Sequence, residues 1–156
     1  MKIQIITIGK KDEPKYVDAI SDFTTRARHY LDTEWKIVSG AKDVTAPTEK
    51  QKQEEGEKIL KILSDDDFVI LLDEKGNNIS TPVFAELLQK HLNRSTKNLT
   101  FIIGGAYGVS QEVLKRANFT WSLSKLVFPH GLARLILIEQ IYRAGTILKA
   151  EKYHHQ

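Results

Sequence analysis

The stretch Phe68-Val69-Ile70-Leu71-Leu72 decides the fold. Five consecutive apolar residues match neither the one-sided stripe of a surface helix nor the alternation of a half-exposed strand. Bounded by Asp65–Asp67 and by Asp73, the run reads as a strand covered on both faces. Leu99–Ile103 reads as a second strand of this kind, and Lys2–Ile8 (KIQIITI), rich in β-branched residues and closed by Gly9, as a third. Trp35–Val38 is a shorter strand, and another is expected around Leu126–Phe128, before Pro129.

Helical segments lie between these strands. From Pro14 towards Tyr30, the residues Tyr16, Val17, Ile20, Phe23, Ala27 and Tyr30 share one helix face. Thr48 and Gln51 have capping-box spacing and open a helix that runs through Leu63, with Asp65–Asp67 as its solvated end. Thr81 followed by Pro82 predicts a capped helix to Leu92, and Ser110 caps another to about Ala117. A last helix is expected from Leu132 to Lys149. Strands alternating with helices, with continuous apolar strands, predict a single α/β domain whose mostly parallel sheet is flanked by helices. Gly40–Pro47 reads as a loop, and the sequence holds no internal repeat or linker.

Composition narrows the chemistry. The chain has 156 residues with 23 Lys plus Arg and 20 Asp plus Glu, a formal charge of +3. Residues 1–120 carry 18 basic and 18 acidic side chains, so the surplus belongs to the last 36 residues: Lys125, Arg134, Arg143, Lys149 and Lys152 against Glu139 and Glu151. His130, His154 and His155 lie there too. This is either a solvated helical tail or a surface for an anionic partner such as phosphate. The absence of cysteine excludes disulfides, thiolate metal sites and cysteine catalysis. No metal-ligand spacing and no GxSxG motif is present, so no metal is expected. No apolar run approaches the ~18 residues of a membrane span, and Met1–Lys11 lacks the features of a signal peptide. A soluble, cytoplasmic protein with no membrane partner is expected.

Three segments invite a functional reading. Phe101-Ile-Ile-Gly104-Gly105-Ala-Tyr-Gly108-Val-Ser110 is strand, glycine turn and helix cap; it is either a tight turn needing positive φ or a cradle for a ligand at a strand's carboxyl end. Trp121-Ser-Leu-Ser-Lys-Leu-Val-Phe-Pro129-His130 mixes hydroxyls with apolar residues before the last helix. That helix is apolar on nearly every side, from Leu132 and Leu135 to Ile147 and Leu148, which predicts a homodimer or else a helix central to one subunit. Its Glu139 and Arg143 stand four apart and are able to pair.

Taken together, the MKIxIxxIGK start, Leu71-Leu72-Asp73 with Gly76, Phe101–Gly105 with Gly108, Ser122-Leu-Ser-Lys125, Phe128-Pro129-His130, Arg134, Glu139-Gln140, Tyr142-Arg143-Ala144 and Tyr153-His154 closely resemble the RlmH methyltransferases of the SPOUT (trefoil-knot) class, over essentially the whole chain. The family usually follows Tyr-His with Lys or Arg; here His155-Gln156 stands there instead. The resemblance implies one domain over 1–156, with a carboxyl-terminal trefoil knot formed by about 68–156. It implies methyl transfer from S-adenosylmethionine to N3 of a pseudouridine in 23S rRNA of the assembled ribosome, by a homodimer. The cofactor would be bound by Leu72, Gly104, Leu123, Ser124, Lys125, Leu126, Val127 and Phe128. Arg143 and His154 would serve the chemistry, and His130, Arg134 and Tyr153 would face substrate. Three other readings compete: a non-catalytic ribosome-binding factor of the same fold, a tRNA methyltransferase, and a nucleotide-dependent oxidoreductase. The last would need a glycine fingerprint where Gly9-Lys10-Lys11 offers one glycine.

Overall fold

A computed structural model describes residues 1–9 and 14–150. In chain order the elements are β1 (Lys2–Ile8), α1 (Pro14–Arg28), β2 (Asp32–Val38), α2 (Thr48–Leu60), β3 (Phe68–Asn78), α3 (Thr81–Asn93), β4 (Asn98–Ile103), α4 (Gln111–Arg116), β5 (Phe119–Ser122) and α5 (His130–Leu148). The strands form one parallel sheet in the order β2-β1-β4-β3-β5. The expected α/β architecture is therefore present, with the two continuous apolar runs in the adjacent strands β3 and β4.

Alternation along each strand divides the core in two. Ile3, Ile5, Ile70, Leu99 and Phe101 face α1, α3 and α5, where Ala27, Phe84, Leu88, Leu137 and Ile141 are buried with them. Ile6, Ile8, Val69, Leu71 and Ile102 face the other way, onto Ile59 of α2 and Val113 of α4. Covering both faces of a parallel sheet is what its apolar strands require. Helix α5 lies between α1 and α3, and every residue from Gly131 to Leu148 is at least partly covered within one chain. Much of the all-round apolarity is thus used inside the subunit. Among the described residues, no helix is long and apolar enough to cross a membrane.

Several local expectations are corrected. Thr48 and Gln51 form no capping box: no side chain caps α2, and the Gln51 amide instead donates to the Val44 and Ala46 carbonyls at 3.1 and 2.7 Å. Helix α3 is capped by Ser80 rather than Thr81, which frees Thr81 to donate to Gln140 at 2.7 Å. Asp67 is no solvated helix end but is 4% exposed, accepting from the Ser64 N–H at 3.1 Å and the Asn98 amide at 2.8 Å. The strand expected at Leu126–Phe128 lies earlier, at Phe119–Ser122, and α5 begins two residues before Leu132, at His130. Ser110 caps α4 as expected, accepting from the Val113 N–H.

Candidate active site

The Leu72–Lys75 part of β3 and the carboxyl end of β4 open into a cleft of about 430 Å³. Its first wall is an excursion within β3. Both Leu72 and Asn77 register with Trp121 of β5, so Asp73–Gly76 loops outward between them. The excursion is tightened where the Lys75 N–H donates to the Asp73 carboxylate at 2.8 Å. Leu72, Asp73, Glu74 and Lys75 line the cleft from this side.

The second wall is the glycine turn after β4. Gly105 and Gly108 form an isolated antiparallel bridge, and the Gly108 N–H donates to the Gly105 carbonyl at 3.1 Å. Gly108 sits at φ +84°, the left-handed region that glycine enters freely. Gly104 is required for another reason: a Cβ there would fall 2.7 Å from the Val109 side chain. The turn is thus both a positive-φ turn and a bare stretch of backbone facing the cleft.

The third wall is the segment between β5 and α5. Ser122 Oγ donates to the Ser124 carbonyl at 2.8 Å, and Ser124 Oγ accepts from the Leu126 N–H at 3.0 Å. Asn78 holds the segment's start, its amide donating to the Ser122 carbonyl at 2.9 Å. The hydroxyls noted in the sequence therefore shape this loop. They leave Leu126 and Val127 exposed at 70% and 79%, on the cleft rim with Leu123 and Phe128.

Seven of the eight expected cofactor residues, Leu72, Gly104, Leu123, Ser124, Leu126, Val127 and Phe128, meet in this one cleft; Lys125 is exposed and outside its lining. His130 lines it too. Burial, with the neighbouring Arg134 cation, pushes its imidazole below the ordinary histidine value, and the Glu55 carboxylate partly opposes this. Arg134 itself is 4% exposed and donates to the Ile8 carbonyl at 3.2 Å, tying α5 to the end of β1. It does not reach the cleft surface.

Arg143 is not brought to the cleft either. It stands 13 residues beyond His130, about 20 Å along the helix at ~1.5 Å per residue. There its guanidinium donates twice to Glu139 Oε1, at 2.9 and 2.6 Å, confirming the expected pair. Gln140 donates to the other Glu139 oxygen at 2.6 Å and accepts from Thr81, so the network joins α5 to α3. Tyr153 and His154 lie outside the described residues. Among those described, no group of three or more His, Asp or Glu is placed to hold a metal. Sequence reasoning missed Glu74 and Lys75, whose only signal was the Asp73…Gly76 spacing, and Tyr107, 58% exposed at the tip of the glycine turn.

The family described as "Predicted SPOUT methyltransferase" has a model that matches residues 1–154. This chain belongs to the SPOUT methyltransferase family. It is a methyltransferase, and the cleft lies at the carboxyl ends of parallel strands, where α/β sheets bind ligands. Among its relatives, "Ribosomal RNA large subunit methyltransferase H" of Parabacteroides distasonis is 45% identical over 157 residues, covering 100% of each chain. Proteins of the same name from Christiangramia forsetii, at 45% with 100% of each chain covered, and Cytophaga hutchinsonii, at 43% with 99% of this chain and 100% of the relative covered, are similar throughout. The walls of the SPOUT cleft fit S-adenosylmethionine: apolar side chains suit an adenine, the bare backbone at Gly104 permits close approach, and Asp73 and Glu74 suit a cation.

Proposed function

We propose that the cleft binds S-adenosylmethionine and that this chain, as a cytoplasmic homodimer, methylates N3 of a pseudouridine in 23S rRNA of the assembled ribosome. The observation that carries this is the convergence of Leu72, Gly104 and, Lys125 apart, the residues of the Leu123–Phe128 loop, three separate stretches of sequence, on one cleft. Leu72, Leu123, Leu126, Val127 and Phe128 would enclose the adenosine, with the Gly104 backbone beside it and Lys125 at the outer face of the loop. Bound there, S-adenosylmethionine supplies a methyl group on a sulfonium, already activated for transfer.

The chain's own residues have two tasks: to hold N3 within ~3–3.5 Å of the methyl carbon and to favour loss of its proton. Arg143 and His154 are the candidates for the second. His130 and Tyr153 orient substrate, and Arg134, buried against β1, acts by fixing the start of α5. Arg143's distance from the cleft of its own chain favours delivery by a second subunit. So do Leu132 and Ile136, which share one face of α5 and stay half-buried outside both core clusters. For the knot of 68–156, support comes from the path of the chain. The segment after β5, a strand at one sheet edge, lines one cleft with Asp73–Lys75 and the glycine turn, and Arg134 of the following α5 bonds to Ile8 at the end of β1.

Calorimetry is expected to show S-adenosylmethionine binding to wild type and to the Arg143→Ala and His154→Ala dimers, with methylation lost in both variants. Absence of cofactor binding would favour a non-catalytic ribosome-binding factor, and wild-type rates in both variants would remove their assignment.

A further inference from the structure

Glu55 lies in α2, on the face of the sheet opposite α5, where its sequence reads as one more solvated helix charge. Its surroundings are different. Oε1 accepts the Ala41 N–H at 3.2 Å, and a Cβ on Gly40 would stand 3.4 Å from the same oxygen. A Cβ on Gly105 would fall 2.5 Å from Oε2 and 3.2 Å from Cδ. The carboxylate is therefore wedged between the loop after β2 and the glycine turn after β4, strands separated in the sheet by β1. A Cβ at 105 would push the carboxylate aside, so glycine there allows this close approach. The next residue, Gly56, abuts Ser110, the cap of α4, so the helix carrying Glu55 is seated against both ends of the turn.

Glu54 provides the contrast. It holds the same loop by accepting the Lys42 N–H at 3.2 Å and pairs with Lys58 at 3.2 Å, but it does not touch the turn. Of the two, Glu55 is the one that reaches beneath the cleft wall, and its negative charge also acts on His130, together with the Arg134 cation on α5.

We propose that Glu55 is a positioning residue for methyl transfer, its carboxylate forming the floor that sets the Gly104–Gly108 wall. This rests on the cleft being the S-adenosylmethionine site. Small displacements in a transfer site are costly, up to about a hundredfold for ~1 Å.

The test combines calorimetry with S-adenosylmethionine and an NMR titration of the His130 ring, both on the full chain. Glu55→Ala is expected to weaken binding by about tenfold or more, and Glu55→Gln, whose amide oxygen still accepts the Ala41 N–H, to restore it to within about threefold. Both variants remove the negative charge and are expected to move the His130 midpoint to lower pH, whereas Glu54→Gln leaves binding and midpoint unchanged. Wild-type binding by Glu55→Ala, an unmoved midpoint in Glu55→Gln, or an equal effect of Glu54→Gln would overturn the proposal. Failure of the wild-type chain to bind S-adenosylmethionine would instead overturn the reading of the cleft; the His130 midpoints report on Glu55 independently.

Discussion

Among the described residues, His91 and His130 are held below their ordinary value of 6.5, each chiefly by burial and then by neighbouring cations. His91 packs its ring 4.1 Å from that of Phe68 and shares a hydrogen bond with Thr96 at 3.0 Å. Between the folded and unfolded values, the unfolded chain binds more protons than the folded one. Stability therefore rises with pH through that window, is complete above about 6.5, and is lost as pH falls. Melting temperatures measured between about pH 5 and 7.5 are expected to climb with pH, and the climb is expected to be shallower in His91→Gln. An identical slope in the variant would remove His91 as a source. At Ser110 the reasoning is simpler. Its hydroxyl caps α4, so Ser110→Ala is expected to lower the unfolding free energy by ~1 kcal/mol in urea titrations. Site residues were legible unevenly at this scale. Ser124 was visible, but its work as a turn former was not, because a hydroxyl's partner depends on the path of the loop. Glu55 carried no signal at all, since its partners lie in loops remote in sequence.

Among the elements, β3 and β4 were legible because strands covered on both faces are apolar without interruption. Strand β5 was not: Phe-Thr-Trp-Ser at a sheet edge looks like loop sequence, whereas the more apolar Leu126–Phe128 serves a cleft rim rather than a ladder. The return of β3 after Asp73–Gly76 was equally silent, because Asn77 and Asn78 pair through the backbone. Helix α5 shows the limit of composition. Its apolar character was plain, yet only packing separates Leu137, fully buried in the subunit core, from half-buried Leu132. Leu137→Ala is expected to cost about 2–5 kcal/mol in urea unfolding. Leu132→Ala is expected to cost clearly less in a monomeric background, and similar losses at both positions would contradict the packing described.

At the scale of the whole molecule, the +3 surplus sits on the part of the chain that runs from the cleft rim to the carboxyl terminus, over a neutral scaffold. Two-fold pairing would double it and bring two such segments together, which suits a phosphate-rich partner. If α5 carries the interface, Ile136→Glu is expected to convert a sedimenting dimer to a monomer and to abolish rRNA methylation while the fold persists. A dimer unaffected by this charge would place the interface elsewhere. The central claim, methylation of a pseudouridine at N3, is tested most directly by mass spectrometry of 23S rRNA from a strain lacking the gene. N3-methylpseudouridine is expected to be absent and to return when the gene is restored; its persistence in the deletion strain would contradict the assignment.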